Sequence, residues 1–582
     1  MRIHGLITKR RITTSTLLTG LFLFFSSVVA QTNMIAPAEQ MVNPKLAKRM
    51  ELYKPSLQKV GDRVHAVIGY DYSNYAYIEG KDGIIVIDTG WFPGQAKRSM
   101  ADYRQQITDK PIAAIIYTHS HIDHNGAVSA IMEGQQPEIP VYGPKGWERW
   151  IDESFSHLGR AMFRRIFMQM GLVLPHGDEG TVGNGINPSP KIEGRAELTF
   201  PPTIDVEEPI DVTIAGVPIQ IIPQQGDIPE NLYIWLPDDE ILFVGDIPLH
   251  ATFPAIETVR FEAARDPRAH IDSLNKVLEL NPEFVVPGHG RVLKGREDVR
   301  DVTLANRDTV EFMIDQVDRL YVNGYSADQI VDRLELPPTL AAHPDLQPFY
   351  HRVEWMIKTM YFKRAGFVGE TMDYLTLTQS EESKRLIPLL GGVDAVREQA
   401  QDALSADDPR WAARLATYVL EVDANDQHAK EIRQAAFTRI ARTTESANER
   451  NYLLSSIREE NGELDWKEIF SKSDLASMGK QSTSTILAMM KSRFRAEDAN
   501  GVETLVKVQV EDQMPRYMQV RNNVLLISDT ANESVQGAMS LSRETLNRIA
   551  ANMTNWSDAL ATDEISVDAG RPAIKQLLSL IE

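Results

Sequence analysis

From about residue 55 to 290, short runs of β-branched and aromatic residues alternate with stretches whose apolar positions recur at helical spacing. Val64–Ile68, Ala76–Ile78, Ile84–Ile87, Ala113–Tyr117, Val217–Ile222, Leu232–Leu236, Ile241–Val244 and Phe284–Val286 read as strands. Helical periodicity appears over 95–106, 145–173 and 268–280. Strands interspersed with helices in this way predict layered α/β packing. From about 296 to 460 the pattern is almost wholly helical. Gly391-Gly392, Asp407-Asp408-Pro409 and Asp423-Ala424-Asn425 punctuate it into helices of about 12–15 residues. The spacing suggests helical pairs, without a strict repeat. From about 470 onward the pattern mixes again. Thr504–Val510 and Tyr517–Val520 alternate apolar and polar residues, which predicts an antiparallel sheet covered by helices over 481–494 and 543–551.

The N-terminus follows another rule. Arg2, Lys9, Arg10 and Arg11 precede an apolar run from Leu17 to Val29, and Val28-Val29-Ala30 ends it with small residues. The run is shorter than the ~20 residues of a spanning helix. It reads as a signal peptide over 1–30, cleaved near Ala30/Gln31, which predicts export to a periplasm or beyond. The 582-residue chain is otherwise of ordinary globular composition, 43% hydrophobic and 24% charged, and long enough for several domains. Its formal charge of −20, becoming −24 without the four leader cations, argues against a nucleic-acid partner. With no cysteine, disulfides, Fe–S clusters and thiolate zinc sites are excluded, so any transition-metal site must use His, Asp and Glu.

One segment concentrates the chemistry. Thr118-His119-Ser120-His121-Ile122-Asp123-His124 directly follows the strand ending at Tyr117 and holds three of the chain's 13 histidines. A strand opening into a loop can aim His119 and His121 to one side, with Asp123 and His124 arriving on the next turn. Neutral imidazoles and carboxylates suit Zn²⁺, and two such groups suit two ions. Further ligand candidates stand just past later strands: Asp227 after Ile222, Asp246 after Val244, and His289 in Pro287-Gly288-His289-Gly290. Each alone reads equally well as a turn residue. Together they bring the candidates to seven.

On these residues the chain resembles the alkylsulfatase branch of the metallo-β-lactamase superfamily. Further likenesses are Ser73–Gly80, Gly159–Arg165 followed by Leu174-Pro175 and Gly180–Gly183, Gly392–Val396, and Ser540–Leu546. The resemblance implies an αββα metallo-β-lactamase sandwich, an all-α helical dimerisation domain and a small α+β domain like sterol carrier proteins. The corresponding boundaries are 31–375, 376–465 and 466–582. It implies two Zn²⁺ per chain, one held by His119, His121 and Asp227, the other by Asp123, His124 and His289. Asp246 would bridge them, and Asp123 would also be the catalytic residue. Arg260 and Arg265 align with two anion-binding arginines, which implies contacts to substrate sulfate. The expected reaction is hydrolysis of an amphiphilic alkyl sulfate to an alcohol and inorganic sulfate, in a homodimer.

The departures are specific. The family usually has Glu where Asp227 and Asp246 stand. Its pocket tyrosines are replaced by Met168 and Met170, an expected Asn is missing from Ala251–Pro254, and an expected His corresponds to Trp355. These keep open another ester on the same scaffold (a lactone, phosphodiester or carboxylic ester) or a lipid- or surfactant-binding protein with a vestigial metal site. Met162, Met168, Met170, Phe163 and Phe167 share a helical stretch that suits an alkyl chain, although such a stripe is more often core. The two arginines equally suit surface pairs with Glu262 or Asp266. Trp411, Leu415, Tyr418 and Val419 recur at helical spacing and are expected in the core of the helical part.

Overall fold

The computed structural model describes residues 41–582, apart from 135–138, 150–158, 195–199, 248, 250, 257–264, 367–368, 471–478, 480, 512 and 582. The expected leader over 1–30 and Arg260 therefore lie outside the described residues.

Two sheets stack face to face. The first has seven strands in chain order: β1 (Ser56–Val60), β2 (Val64–Ile68), β3 (Tyr75–Glu79), β4 (Ile84–Ile87), β5 (Ile112–Ile116), β6 (Val141–Pro144) and β7 (Ile204–Val206). Pairing is antiparallel up to β4 and parallel from β4 to β7. The second contains β8 (Ile210–Ile214), β9 (Val217–Pro223), β10 (Leu232–Leu236), β11 (Ile241–Gly245), β12 (Phe284–Pro287) and β13 (Leu293–Lys294), in the order β13-β12-β11-β10-β9-β8. Only β11 and β12 are parallel there.

β4, and β2 apart from the buried His65, are apolar on both faces because both faces are covered. Ile85, Ile87, Ile219, Ile221, Ile234 and Phe243 meet between the sheets. On the outside of the first sheet, helix Pro93–Gln106 contributes Ala96, Met100 and Tyr103 and helix Val128–Met132 contributes Val128 and Ile131. On the outside of the second, Leu274 and Val277 of helix Pro267–Leu280 join Val299 and Val302 of helix Arg296–Val322. The result is a helix–sheet–sheet–helix sandwich. Parallel strands need such crossovers, and the loops at their C-terminal ends open at one rim, where α/β sheets bind ligands.

The helical part begins with Arg296–Val322, whose 27 residues exceed the 12–15 expected. Its buried stripe runs from Val299 to Leu320, with Thr303, Asn306 and Thr309 among its apolar residues, and Gly324 is the first turn signal after it. Helices Gln379–Leu389, Val393–Ser405, Pro409–Val422, Gln427–Thr443 and Ala447–Glu460 follow. Leu415, Tyr418 and Val419 are buried there as expected, but Trp411 is 49% exposed. It lies in the first turn, just after the Asp408 cap and Pro409, although Ala412 and Ala413 beside it are buried.

The C-terminal sheet has the order β16-β15-β14-β17-β18, made of β14 (Thr504–Val510), β15 (Arg516–Arg521), β16 (Val524–Ser528), β17 (Gly537–Leu541) and β18 (Ile565–Ala569). It is mixed rather than antiparallel: β14 to β16 form a meander, but the chain then crosses back and lays β17 parallel to β14. At Gly537 the covering helix Arg571–Ser579 comes close, since a Cβ there would stand 3.0 Å from Ile574. Among the described residues no helix is long and apolar enough to cross a membrane.

Candidate metal centre

β5 ends at Ile116, and the loop after it is tied to its surroundings before the histidines begin. Thr118 donates its backbone N–H and its hydroxyl to the two oxygens of Asp88, each at 2.7 Å, and its carbonyl accepts from Leu232 N at 2.7 Å. This last bond joins the two sheets at the rim. His121 then precedes a single helical turn, Ile122–Asn125, which turns Asp123 and His124 back toward His119.

Ligand-type atoms of all seven expected residues converge, in two groups each spanning no more than 4.8 Å: His119, His121, Asp227 and Asp246, and Asp123, His124 and His289. Asp246 lies between the groups. Its Oδ1 is 3.3 Å from His124 Nε2, and its Oδ2 is 3.1 Å from His289 Nε2 and 3.7 Å from His119 Nε2. Asp227 Oδ2 approaches His121 Nδ1 at 3.4 Å. Asp123 Oδ2 is 3.3 Å from His289 Nε2 and 3.7 Å from His124 Nε2. The chain closes tightly around Asp246. A Cβ on Gly288 would lie 2.3 Å from its Oδ1, and one on Gly245, at φ +58°, would lie 2.4 Å from Asn231 Oδ1.

The outer nitrogens are oriented. His124 Nδ1 is 2.8 Å from Asp88 Oδ2, and His119 Nδ1 is 3.0 Å from the Thr118 hydroxyl. His289 Nδ1 is 2.9 Å from both the Tyr72 carbonyl and Asn187 Oδ1. Asn74 Nδ2 holds the same loop through the carbonyls of Pro287 and Gly290, at 3.0 and 2.9 Å. This leaves the Nε2 atoms of His119, His124 and His289 facing inward. Such outer-shell bonds fix ring tautomers in metal sites. Asp88, Asn74 and Asn187 were missed by the sequence reading. Asp88 carries the same signal as the others, a carboxylate just past an apolar strand, in Ile87-Asp88-Thr89-Gly90.

The electrostatics call for cations. Burial would raise Asp123 and Asp246, yet the imidazoles of His124 and His289 outweigh it and hold both carboxyls well below their usual range. Burial would likewise depress His124 and His289. Asp246, Asp123 and Asp88 instead lift His124 well above its ordinary value, while Asp246 and Asp123 carry His289 up to about 9. His119 stays well below the ordinary value through burial and the adjacent His124. Its Nε2 is fully buried and makes no hydrogen bond among the described residues. A buried imidazole nitrogen facing carboxylates without a bond fits a missing cation, and the donor set of imidazoles and carboxylates suits borderline divalent metals.

The centre opens into a cleft lined by His121, Asp123, Asp246, Arg265 and His289 on its floor and by Tyr72, Trp91, Phe163, Ile166, Met170 and Tyr350 on its walls. The methionine and phenylalanine stripe divides. Phe163 and Met170 face the cleft, whereas Met162 and Met168 are buried and do not line it. Buried Asp71 accepts from the backbone N–H groups of Tyr72, Trp91 and Phe92 at 2.7, 3.0 and 2.8 Å. Burial pushes its carboxyl up to about 7. Arg265 corrects the surface-pair alternative. It is 9% exposed and donates through Nη2 to Asp227 Oδ2 at 2.7 Å, while Asp266 instead caps helix Pro267–Leu280. The family histidine assigned to Trp355 also has another candidate. His351, directly after Tyr350, is buried between Phe253 and Trp355, with ring centroids 6.3 and 5.7 Å away.

Comparison with known proteins matches this geometry. The metallo-β-lactamase superfamily model matches residues 68–289, the span containing both sheets' ligand loops. The models for alkyl sulfatase dimerisation and the alkyl sulfatase C-terminal domain match 326–463 and 471–582. A linear primary-alkylsulfatase from a Pseudomonas strain is 32% identical over 393 residues, covering 67% of this chain and 74% of the relative. The alkyl/aryl-sulfatase BDS1 of Saccharomyces cerevisiae is 25% identical over 93% of this chain and 85% of its own. Among solved structures, the stereoselective inverting sec-alkylsulfatase Pisa1 from Pseudomonas superposes with a TM-score of 0.80 at 23% identity, covering 93% of this chain and 87% of that one. The fold and site define a metallo-β-lactamase-type hydrolase with a His/Asp cluster suited to a divalent metal. Within that superfamily the chain belongs to the alkylsulfatase family.

Proposed function

We propose that the protein is an exported, homodimeric dinuclear zinc enzyme that hydrolyses alkyl sulfate esters to an alcohol and inorganic sulfate. The observation that carries this reading is the pair of ligand groups meeting at Asp246, on the floor of a cleft whose walls are apolar. His119, His121 and Asp227 would hold one ion, Asp123, His124 and His289 the other, with Asp246 between them. When bound, such a pair of cations supplies Lewis acidity for an attacking water and for the departing sulfate.

The chain's own groups do the rest. Asp123, whose side chain is 19% exposed, is the ligand candidate most open to the cleft. Its carboxylate would accept a hydrogen bond from the incoming water and orient it. Arg265 faces the same floor and can share its guanidinium between Asp227 and a sulfate oxygen, a charge-assisted contact. Trp91, Phe163, Ile166, Met170 and Tyr350 take the alkyl chain out of water, at about 0.8 kcal/mol per methylene. Named curated relatives that act on linear and secondary alkyl sulfates support this substrate class. The basic, apolar and small-residue segments of the first thirty residues support export, and the match to the dimerisation model supports the dimer.

The test is sulfate release from octyl and decyl sulfate by protein of known metal content. Release that depends on bound zinc is expected. A zinc-loaded protein that frees no sulfate but cleaves a lactone, phosphodiester or carboxylic ester would contradict the assignment.

A further inference from the structure

The walls of the cleft are fixed by a helix that never reaches it. Helix Ala447–Glu460 belongs to the segment matched by the dimerisation model, yet its buried face is polar: Asn448, Arg450, Asn451 and Ser455 are all 3% exposed or less. A polar face buried at this depth must be bonded: Arg450 donates to the carbonyls of Met41, Asp178, Gly180 and Ala441, and the partners of Asn448, Asn451 and Ser455 include backbone carbonyls of two cleft walls.

The first wall is the end of helix Gly159–Met170, which carries Phe163, Ile166 and Met170. The last carbonyls of a helix have no partner within it, and here each is accounted for. The Phe167 carbonyl accepts from Leu172 N at 2.9 Å. That of Met168 accepts from Gly171 N at 3.2 Å and Ser455 Oγ at 3.3 Å. That of Gln169 accepts from Asn451 Nδ2 at 3.2 Å, and that of Met170 from Ser189 Oγ at 2.9 Å and from the Tyr72 hydroxyl. Asn451 Nδ2 also reaches the Gly183 carbonyl at 3.0 Å. Gly171, at φ +73°, is what lets Asn451 approach, since a Cβ there would lie 2.9 Å from Asn451 Cγ. The second wall is Tyr350. Its carbonyl accepts from Asn448 Nδ2 at 3.0 Å and Ser446 Oγ at 3.3 Å, and Ala447 N donates to the Phe349 carbonyl at 2.8 Å.

We infer that Asn448 and Asn451, with Ser446 and Ser455, are positioning residues for the organic part of the substrate: from the helical domain they set the separation of the Phe163–Met170 wall from Tyr350. The inference rests on the proposed alkyl substrate. None of the four lines the cleft or belongs to the seven ligand candidates, so they act on how well an alkyl chain is gripped and not on the metals.

Asn451→Ala, Asn448→Ala and the milder Ser455→Ala would be assayed in the full-length protein with hexyl, octyl and decyl sulfate. Metal content and amide hydrogen exchange would be measured alongside. A rigid apolar cleft gives up to roughly fourfold in kcat/KM per added methylene. The expected result in the asparagine variants is a KM for decyl sulfate raised about tenfold, kcat within about threefold, and a per-methylene gain cut by half or more. Metal content should be unchanged, and exchange should be faster in 168–172 for Asn451→Ala and in 349–352 for Asn448→Ala. Unchanged KM and chain-length dependence in active protein would overturn the inference, as would a joint loss of kcat and metal. If either asparagine variant fails to fold, Ser455→Ala carries the test through the same shift at smaller size. If the unaltered protein releases no sulfate from any chain length, the substrate assignment fails separately. The clamp then stands on faster exchange in the variants and falls if exchange is unchanged.

Discussion

Asp246 is the residue on which both proposed ion sites would depend, because its two oxygens face His124 on one side and His289 and His119 on the other. Asp246→Asn should therefore drop bound zinc from about two ions per chain to one or fewer and lower kcat by at least about a thousandfold, read by elemental analysis and a sulfate-release assay. Full zinc retention would remove Asp246 from the centre. Asp88 acts one step further out, through His124 Nδ1 at 2.8 Å. Asp88→Asn keeps an acceptor but loses the charge, so zinc affinity should fall by about ten- to a hundredfold in a competitive chelator titration. An unaltered affinity would limit Asp88 to holding Thr118. The seven ligand candidates were legible because the His119–His124 cluster and the family resemblance single them out; a place just past an apolar strand was not enough by itself, since Asp88 shares it. Asn74 was not legible: its partners Pro287 and Gly290 are more than 200 positions away, and nothing local distinguishes it. Arg265 was legible as a residue and not as a contact, since its partner Asp227 sits on another strand's loop.

Eight of the thirteen sandwich strands could be read to within a residue or two from their apolar runs, whereas β1, β6, β7, β8 and β13, short or half-exposed, carry no such run. Strand direction in the C-terminal sheet could not. A seven-residue alternation such as Thr504–Val510 fits parallel and antiparallel neighbours equally, and it is the crossover before Gly537 that decides. The helical elements depend on a charged junction that spacing also hides. Glu449 in helix Ala447–Glu460 pairs with Arg352 and with Arg410, the latter at 2.8 Å, and accepts from Thr444 Oγ1 at 2.6 Å. Burial would raise its carboxyl, but Arg352, Thr444 and Arg410 hold it below the usual value. A depressed carboxyl contributes stability that is present above the unfolded pKa of about 4.3 and is lost as pH falls through the folded value. Glu449→Gln should thus cost about 1–2 kcal/mol at pH 7, seen as a lower unfolding midpoint. The gap to the unaltered protein should close below about pH 4. A gap independent of pH would assign the loss to packing instead of charge.

At the scale of the whole molecule, three successive patterns along the chain (mixed, helical, mixed) coincide with three successive family matches, so the order of parts was legible from periodicity alone. How the parts cooperate was not. Helix Ala447–Glu460 has an ordinary helical sequence, and only the fold brings its asparagines to the backbone carbonyls behind the cleft walls. The helical part also carries an apolar row that no described residue covers: Met372, Tyr374, Leu375 and Leu377 are 47–72% exposed. A row of this kind suits burial against a second copy. The unaltered protein should elute with twice the mass of one chain in light scattering. The double variant Tyr374→Asp, Leu375→Asp should shift toward the monomer while keeping its zinc. A stable dimer in that variant would place the interface elsewhere on the helical part.

If loops of both sheets assemble a hydrolytic centre of two ions, anomalous diffraction at the zinc edge from crystals of the zinc-loaded protein should show two peaks about 3.5–4 Å apart, one beside His119, His121 and Asp227, the other beside Asp123, His124 and His289, with Asp246 touching both. A single peak, or peaks away from these residues, would contradict such a centre.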